Sequence, residues 1–412
     1  MSNFGDKSEY EDELKRIVTC VKSLRSKKFG KTTCWDRAAE CHIKYSNLNG
    51  ESVLALTITL SPTGCEWAKK GGCTMCGEFE GSTKGSSLTK NPQFHVAQFA
   101  AAIGNQQVWD IAKREKKPIT WLRINQEGNY INSKEMDVKA QECILRLAMH
   151  IEGVKRITIE SRPQYITKDT VSSLVKLFAG SGIELEIGMG VEAQNDVIRN
   201  ICINKQGTKN QFKKAVRLLN DNGIFPLAYV LLKPPFLTEQ EAIEEAVSTA
   251  HFAKEIGFAR ISFEPMSIHY YTLVHALTCT GDYTTPWLWS VAEVAKRCSD
   301  ISYMFGIGGV GYFPVPAEYS SNQCTDERNC SVQFAKAIID YNRLRDANVF
   351  DQISCSCKKD WIVACQQENK PLKDRIQEQL SRVEALIPNY VVQDEAVNSV
   401  VRNSRLLMSY SQ

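Results

Sequence analysis

The sequence predicts an α/β fold in which helices cover a parallel sheet. Three observations lead to it. Strand-like and helical stretches alternate about six times between residues 53 and 265, and the connections between them are only a few residues long. Such alternation implies βαβ crossovers and hence a parallel sheet. Polar residues also recur after each strand, and in parallel α/β folds ligands sit at the carboxyl ends of the strands.

In order along the chain, residues 11–28 (EDELKRIVTCVKSLRSKK) put Leu14, Ile17, Val18, Val21 and Leu24 on one helical face. Residues 53–60 (VLALTITL) read as a buried strand ended by Ser61-Pro62-Thr63-Gly64. A helix over 93–116 follows, then a strand over 118–124 that ends in the polar turn 125–129. Helix 134–151, strand 154–160, helix 167–180 and strand 183–188 continue the pattern. Helix 210–222 is closed by Gly223, a residue suited to the left-handed C-terminal cap. Strand 225–232 stops at Lys233-Pro234-Pro235, helix 239–257 follows, and strand 259–263 runs into Glu264-Pro265. After about residue 275 the alternation breaks into a Trp-containing helix, a Gly-rich aromatic stretch over 302–316 and a charged amphipathic helix over 370–387. The expected organisation is an N-terminal helical extension (1–50), a β/α domain (51–275) and a cysteine-containing C-terminal extension (276–412).

The chain has 412 residues, with 50 basic against 47 acidic ones and a net charge of +3. That balance neither requires nor excludes a nucleic-acid partner, because a local basic patch fits within a near-neutral total. Two basic clusters stand out, Lys27, Lys28 and Lys31 near the N-terminus and Lys205, Lys209, Lys213 and Lys214 around one helix; solvated faces are the ordinary reading of both. Residues 1–10 are polar and no run of 18 apolar residues occurs, so neither a signal core nor a membrane span is expected, and a cytoplasmic location is. The fifteen cysteines then read as thiols, metal ligands or core residues rather than as a disulfide framework.

The most informative stretch is Cys65-Glu-Trp-Ala-Lys-Lys-Gly-Gly-Cys73-Thr-Met-Cys76, three cysteines spaced by seven and then two residues on the loop after the first strand. Three thiolates there suit a [4Fe–4S] cluster with one iron left open. A zinc loop would want a fourth ligand, and the nearest downstream are His95 and Cys143. A redox dithiol needs two cysteines and not three. In the C-terminal extension Cys324, Cys330, Cys355 and Cys357 form a second group, readable as a zinc site or as core thiols.

A three-cysteine loop after the first strand of a six-fold β/α repeat resembles the radical S-adenosylmethionine enzymes. Their more usual spacing is three then two. GGCTMCG (71–77), ESRP (160–163), LLKPPFLTEQEAI (231–243), PWLWSVAEV (286–294) and Cys355-Ser-Cys357 with Trp361 are similar to the branch that holds the Elongator catalytic subunit. Within that branch they most resemble the radical subunits of archaeosine synthase. The resemblance implies a partial TIM-like (β/α)6 barrel, a [4Fe–4S] cluster on Cys65, Cys73 and Cys76, and S-adenosylmethionine on the open iron. It makes Glu127, Glu160, Arg162 and Glu192 candidates for the cofactor's ammonium, ribose and carboxylate, with Lys233 and Glu264 as further strand-end contacts. It implies reductive cleavage to a 5′-deoxyadenosyl radical, an electron donor of flavodoxin or ferredoxin type, and tRNA and a partner subunit if the substrate is of the archaeosine type, where a lysine-bearing deazaguanine undergoes C–N cleavage. A small molecule or amino acid in a specialised pathway is the alternative substrate, since fold does not fix substrate.

Overall fold

The computed structural model describes residues 4–28, 39–61, 64–77, 91–126, 128–308, 324, 330–367 and 370–392. Its centre is a single sheet of eight strands in sequence order. These are β1 (Glu40–Leu48), β2 (Glu51–Thr59), β3 (Ile119–Asn125), β4 (Arg156–Glu160), β5 (Glu184–Glu192), β6 (Phe225–Leu232), β7 (Arg260–Pro265) and β8 (Phe305–Ile307). β1 is antiparallel to β2 and every later neighbour is parallel, so six expected strands form a TIM-like half-barrel with one strand added at each edge. β2 is buried over six consecutive residues, as a strand covered on both faces should be.

The helices on the outer face are α1 (Glu11–Ser26), α2 (Pro92–Ile103), α3 (Gln106–Glu115), α4 (Val138–Met149), α5 (Lys168–Phe178), α6 (Lys209–Asn220), α7 (Glu239–Glu255), α8 (Leu273–Cys279), α9 (Leu288–Arg297), α10 (Ser331–Leu344), α11 (Lys358–Gln366) and α12 (Leu372–Leu386). Local chemistry fixes their starts: Thr208 with Gln211 and Thr238 with Glu241 form reciprocal capping boxes that satisfy the first backbone N–H groups of α6 and α7. The single helix expected over 93–116 is two, because Asn105 caps a new start by accepting from the Gln107 N–H.

β1 was not expected, since ECHIKYSNL lacks an apolar face. It forms because Asn49 and Gly50 both take positive φ (53° and 89°), the two-residue turn that closes a hairpin onto β2. β8 is three residues long and its edge is sealed by α10, which packs on both β1 and β8. Asn342 accepts from the Ile307 N–H at 2.8 Å and donates to its carbonyl at 2.7 Å, while Asn47 on β1 donates to Arg343 O at 3.0 Å. Backbone groups of the open sheet edge are thereby satisfied.

The terminal segments meet on the outside. α1 packs against α8 and α12, with Arg16 forking onto Glu384 at 2.8 Å through both nitrogens. That contact aims the C-terminal end of α1, and Arg25 on it, at the cysteine loop. Inside the half-barrel the floor is polar: Glu186 is fully buried and bound by Arg260 at 2.7 Å, with Thr158 donating to it at 2.8 Å. Burial alone would push the Glu186 pKa up, but Arg260 and Arg156 hold it below the usual carboxylate value. The guanidiniums of Arg123 and Arg260 lie 4.2 and 4.3 Å from the Trp121 ring centre, which closes the floor with cation–π contacts.

Candidate metal and cofactor site

The cysteine loop leaves β2 through Ser61, which α2 holds from both sides. Gln98 accepts from the Ser61 N–H and donates to its hydroxyl, each at 2.8 Å, and His95 Nε2 donates to Ser61 O at 3.0 Å. Burial lowers the His95 pKa, so the ring is a neutral anchor and the nearest downstream histidine has a structural occupation.

The loop then folds over the carbonyl ends of the strands and is fastened at four points. Thr74 is fully buried; its N–H donates to Ile203 O at 2.9 Å and its hydroxyl to Cys202 O at 2.9 Å, both at the end of a π-helical turn, Ile198–Cys202. Asn204 donates to Gly72 O at 2.8 Å, and Trp67 Nε1 donates to Asn204 O at 2.7 Å. Glu135 accepts the Glu66 N–H at 3.0 Å and gathers both Asn129 and Asn132 amides at 2.8 Å. Arg25 is 4% exposed, and its guanidinium donates to Gly71 O, to Cys73 O at 3.0 Å and to Cys76 O at 3.2 Å. Burial pushes the Arg25 pKa down, and the neighbouring Cys76, Cys73 and Cys65 push it back. Gly71 and Gly72 have φ of 128° and 77°, and a Cβ on Gly72 would lie 2.5 Å from Arg25 Nη1, so the close approach requires glycine.

A set of charged groups stands at the strand ends beside the loop. Glu192 sits at a bulge in β5 with φ 59°, a strained conformation for a residue with a side chain, and accepts from Lys205 Nζ at 2.8 Å. Burial lowers the Lys205 pKa, but Glu192 and Cys73 together outweigh it and the ammonium is held above its ordinary value. Glu160 at the end of β4 accepts from the Tyr229 hydroxyl at 2.6 Å, and burial raises its pKa. Glu264 at the end of β7 accepts from the Ser262 hydroxyl at 2.6 Å, and burial raises it too. Gly308 lies so close to Glu264 that a Cβ there would overlap the carboxylate. Three candidates for cofactor contacts, Glu160, Glu192 and Glu264, thus share one lumen with Tyr229 and Lys205.

No family model matches the chain. Over 329 residues the chain is 30% identical to the uncharacterized protein MJ0550 of Methanocaldococcus jannaschii, spanning 78% of this chain and 85% of that one. It is 27% identical over 319 residues to archaeosine synthase subunit beta of Methanosarcina acetivorans, spanning 76% and 86%. Among solved structures, Elp3 of Methanocaldococcus infernus with an N-terminal deletion superposes with a TM-score of 0.43 at 14% identity, over 60% of this chain and 58% of that one. The chain belongs to one family with MJ0550.

Arg162 does not face the lumen with an open fork: Nη2 donates to Lys205 O at 2.5 Å and Gln206 O at 2.8 Å, and the guanidinium lies 5.4 Å from the Trp67 ring centre. It braces the cysteine loop against the 203–206 segment. Lys233, with φ 63°, pairs with Glu239 at 2.7 Å and donates to the Thr284 hydroxyl at 3.2 Å, which ties the end of β6 to the start of α7. Glu127 lies outside the described residues, as does Lys31.

The basic cluster around α6 divides. Lys205 and Lys209 turn inward, the second donating to Gln194 at 2.7 Å, and only Lys213 and Lys214 stand in solvent. Near the N-terminus Lys27 donates to Pro388 O at 2.9 Å and Lys28 lies 5.7 Å from the Tyr271 ring centre.

Sequence reasoning missed Arg25, Glu135, Lys205 in its lumenal role, and Tyr229. The hairpin signal Asn49-Gly50 was there to be read; nothing local marks Arg25 or Glu135. Among the described residues no helix is long and apolar enough to cross a membrane.

Proposed function

We propose that Cys65, Cys73 and Cys76 hold a [4Fe–4S] cluster, that S-adenosylmethionine binds at its open iron, and that the enzyme modifies tRNA as the archaeosine synthases do. The observation that carries the site is the fastened loop, with one buried guanidinium bound to the carbonyls of Gly71, Cys73 and Cys76. The donor set fits the group, since three thiolates on a rigid loop leave one iron for a small-molecule ligand, and the Arg25 charge offsets part of theirs. Bound there, the pair would supply one-electron cleavage of the sulfonium and hydrogen abstraction from the substrate.

The chain's own residues hold and orient. Glu160 and Glu192, at the ends of adjacent strands and linked to Tyr229 and Lys205, would take the cofactor's ammonium and ribose. The Glu192–Lys205 pair keeps the strained bulge in position, so an incoming ammonium meets a pre-formed acceptor rather than a mobile one. Arg162 and Trp67 keep the loop from shifting relative to those acceptors. The tRNA reading is supported by the 27% identity to archaeosine synthase subunit beta of Methanosarcina acetivorans, and a beta subunit also implies a partner subunit.

The test is anaerobic reconstitution followed by reduction with dithionite in the presence of S-adenosylmethionine. Formation of 5′-deoxyadenosine and methionine is expected. Methylthioadenosine as the sole product would place the cleavage at another C–S bond and overturn the mechanism. The substrate is tested separately, with tRNA carrying the lysine-deazaguanine adduct and cell extract as the source of a partner. Conversion of the adduct to an amidine is expected; 5′-deoxyadenosine formation without any change in that tRNA would sink the tRNA assignment alone.

A further inference from the structure

We propose that Cys324, Cys330, Cys355 and Cys357 bind one zinc ion in a closed four-thiolate site that fastens the C-terminal extension to the rim of the sheet. The four Sγ atoms come from three separate stretches of chain and lie within 4.8 Å of one another, the one such cysteine group among the described residues. Cys324 and Cys355 are 3.5 Å apart and Cys330 and Cys357 3.7 Å. A tetrahedral ion with Zn–S bonds of about 2.3 Å sets its sulfurs about 3.8 Å apart. The cysteines of an iron–sulfur cubane stand about 6 Å apart, so a second cluster does not fit the same four atoms. Two disulfides would satisfy the cysteines in pairs at about 2.05 Å and would give no reason for all four to converge.

The surroundings suit a thiolate centre of net charge −2. Cys330 and Cys357 are 1% and 2% exposed, and each is the residue immediately before a helix, α10 and α11. Both cysteines thus stand at the positive ends of helix dipoles, which lowers the cost of negative charge on sulfurs that bind a metal. Trp289 Nε1 donates to Cys357 Sγ at 3.3 Å, and its ring is held by Phe334 at 4.9 Å and Trp361 at 6.4 Å. All four positions are protein thiols, which is the composition of a structural zinc site and leaves no place for substrate.

The site reaches the barrel through Trp289 and its neighbour. The Ser290 hydroxyl donates to Glu239 at 2.5 Å and accepts from Trp361 Nε1 at 2.9 Å, and Glu239 holds Lys233. The metal thus braces the pair that closes the end of β6. This inference does not depend on what the Cys65 loop binds.

The test uses the full chain with Cys65, Cys73 and Cys76 all changed to Ser, so that zinc is measured free of cluster iron. One zinc per chain is expected in this variant and in the wild type. Because a Cys330→Ser/Cys357→Ser variant could fail for lack of folding, a second measurement is made on the intact protein. Titration with a mercurial reagent should release the zinc in step with four thiols, and cobalt substitution should give the intense visible bands of a tetrahedral thiolate complex. A triple variant that carries no tightly bound metal, or that carries one iron in place of zinc, would overturn the proposal. So would a reconstituted wild-type chain with about eight irons, the content of two cubanes.

Discussion

Replacing Arg25 with Met tests whether the N-terminal helix holds the cysteine loop. The change keeps the aliphatic bulk and removes every donor, leaving the carbonyls of Gly71, Cys73 and Cys76 without their bonds from α1. Hydrogen bonds to a charged group contribute about 1.5–3 kcal/mol each, and the three act as one unit, so they do not add. Leaving these buried carbonyls without a donor costs about 1–3 kcal/mol, a sizeable share of the ordinary stability of a domain. The loss falls on the loop, because Arg25 is at the end of α1 while the burial of Ile17, Val21 and Leu24 holds the rest of that helix. Iron per chain after anaerobic reconstitution, and the rate of iron loss to a chelator, should therefore change more than the unfolding temperature. Arg25→Lys should retain an intermediate iron content, since one ammonium reaches one or two of these carbonyls but cannot fork across three. An Arg25→Met protein with wild-type iron content and wild-type resistance to chelation would refute the reasoning.

Other substitutions probe the same contacts from different sides. Gly72→Ala forces a side chain onto φ 77° and sets its Cβ 2.5 Å from Arg25 Nη1; the left-handed backbone alone costs about 1–2 kcal/mol, and iron retention should fall with it. Trp289→Phe keeps an aromatic ring, though a smaller one, and removes the N–H to Cys357, so metal competition at the C-terminal cysteines should show an affinity loss of about 10–100-fold. Glu245 is 6% exposed, and burial raises its pKa from 4.5 to about 7, although the Asn195 N–H donates to it at 2.7 Å. The native state then holds a proton that the unfolded chain has lost, so this group's contribution to stability falls as pH rises from about 4.5 to 7 and stays low above that. The full difference is about 3 kcal/mol. Glu245→Gln, which keeps the acceptor, should flatten that slope in denaturant melts between pH 5 and 8; an unchanged slope would mean the carboxyl ionises freely in the fold.

Much of the architecture was legible because it is written in short-range patterns. The apolar run ending at Leu60, the closing Gly223 after the helix over 210–222 and the strand-ending Lys233-Pro234-Pro235 each act within a few residues, and each element appeared where its pattern stood. The cysteine loop was legible for the same reason: spacing after a strand is a local fact. β1 was missed because a strand paired on one side and polar on both faces leaves no apolar signature, although its Asn49-Gly50 turn does. Lys205 illustrates the opposite failure. In sequence it belongs with the basic cluster of Lys209, Lys213 and Lys214, yet the bulge at Glu192 draws it into the lumen.

By itself the sequence determined which donors exist and on which kind of element each stands: three thiols on a post-strand loop, four more beyond the barrel, and acids at the strand ends. Only the tertiary structure decided who meets whom. Arg25 closes on carbonyls 46 to 51 residues away, Cys330 faces Cys357 across 27 residues, and Arg162 is taken by a backbone segment 43 residues on. The physical reason is the range of the interactions. Hydrophobic period, capping and turn preference act between near neighbours and survive in a linear string. A hydrogen bond or a metal–sulfur bond tolerates errors of only a few tenths of an ångström, and that precision exists only once the whole packed core has fixed where each segment lies.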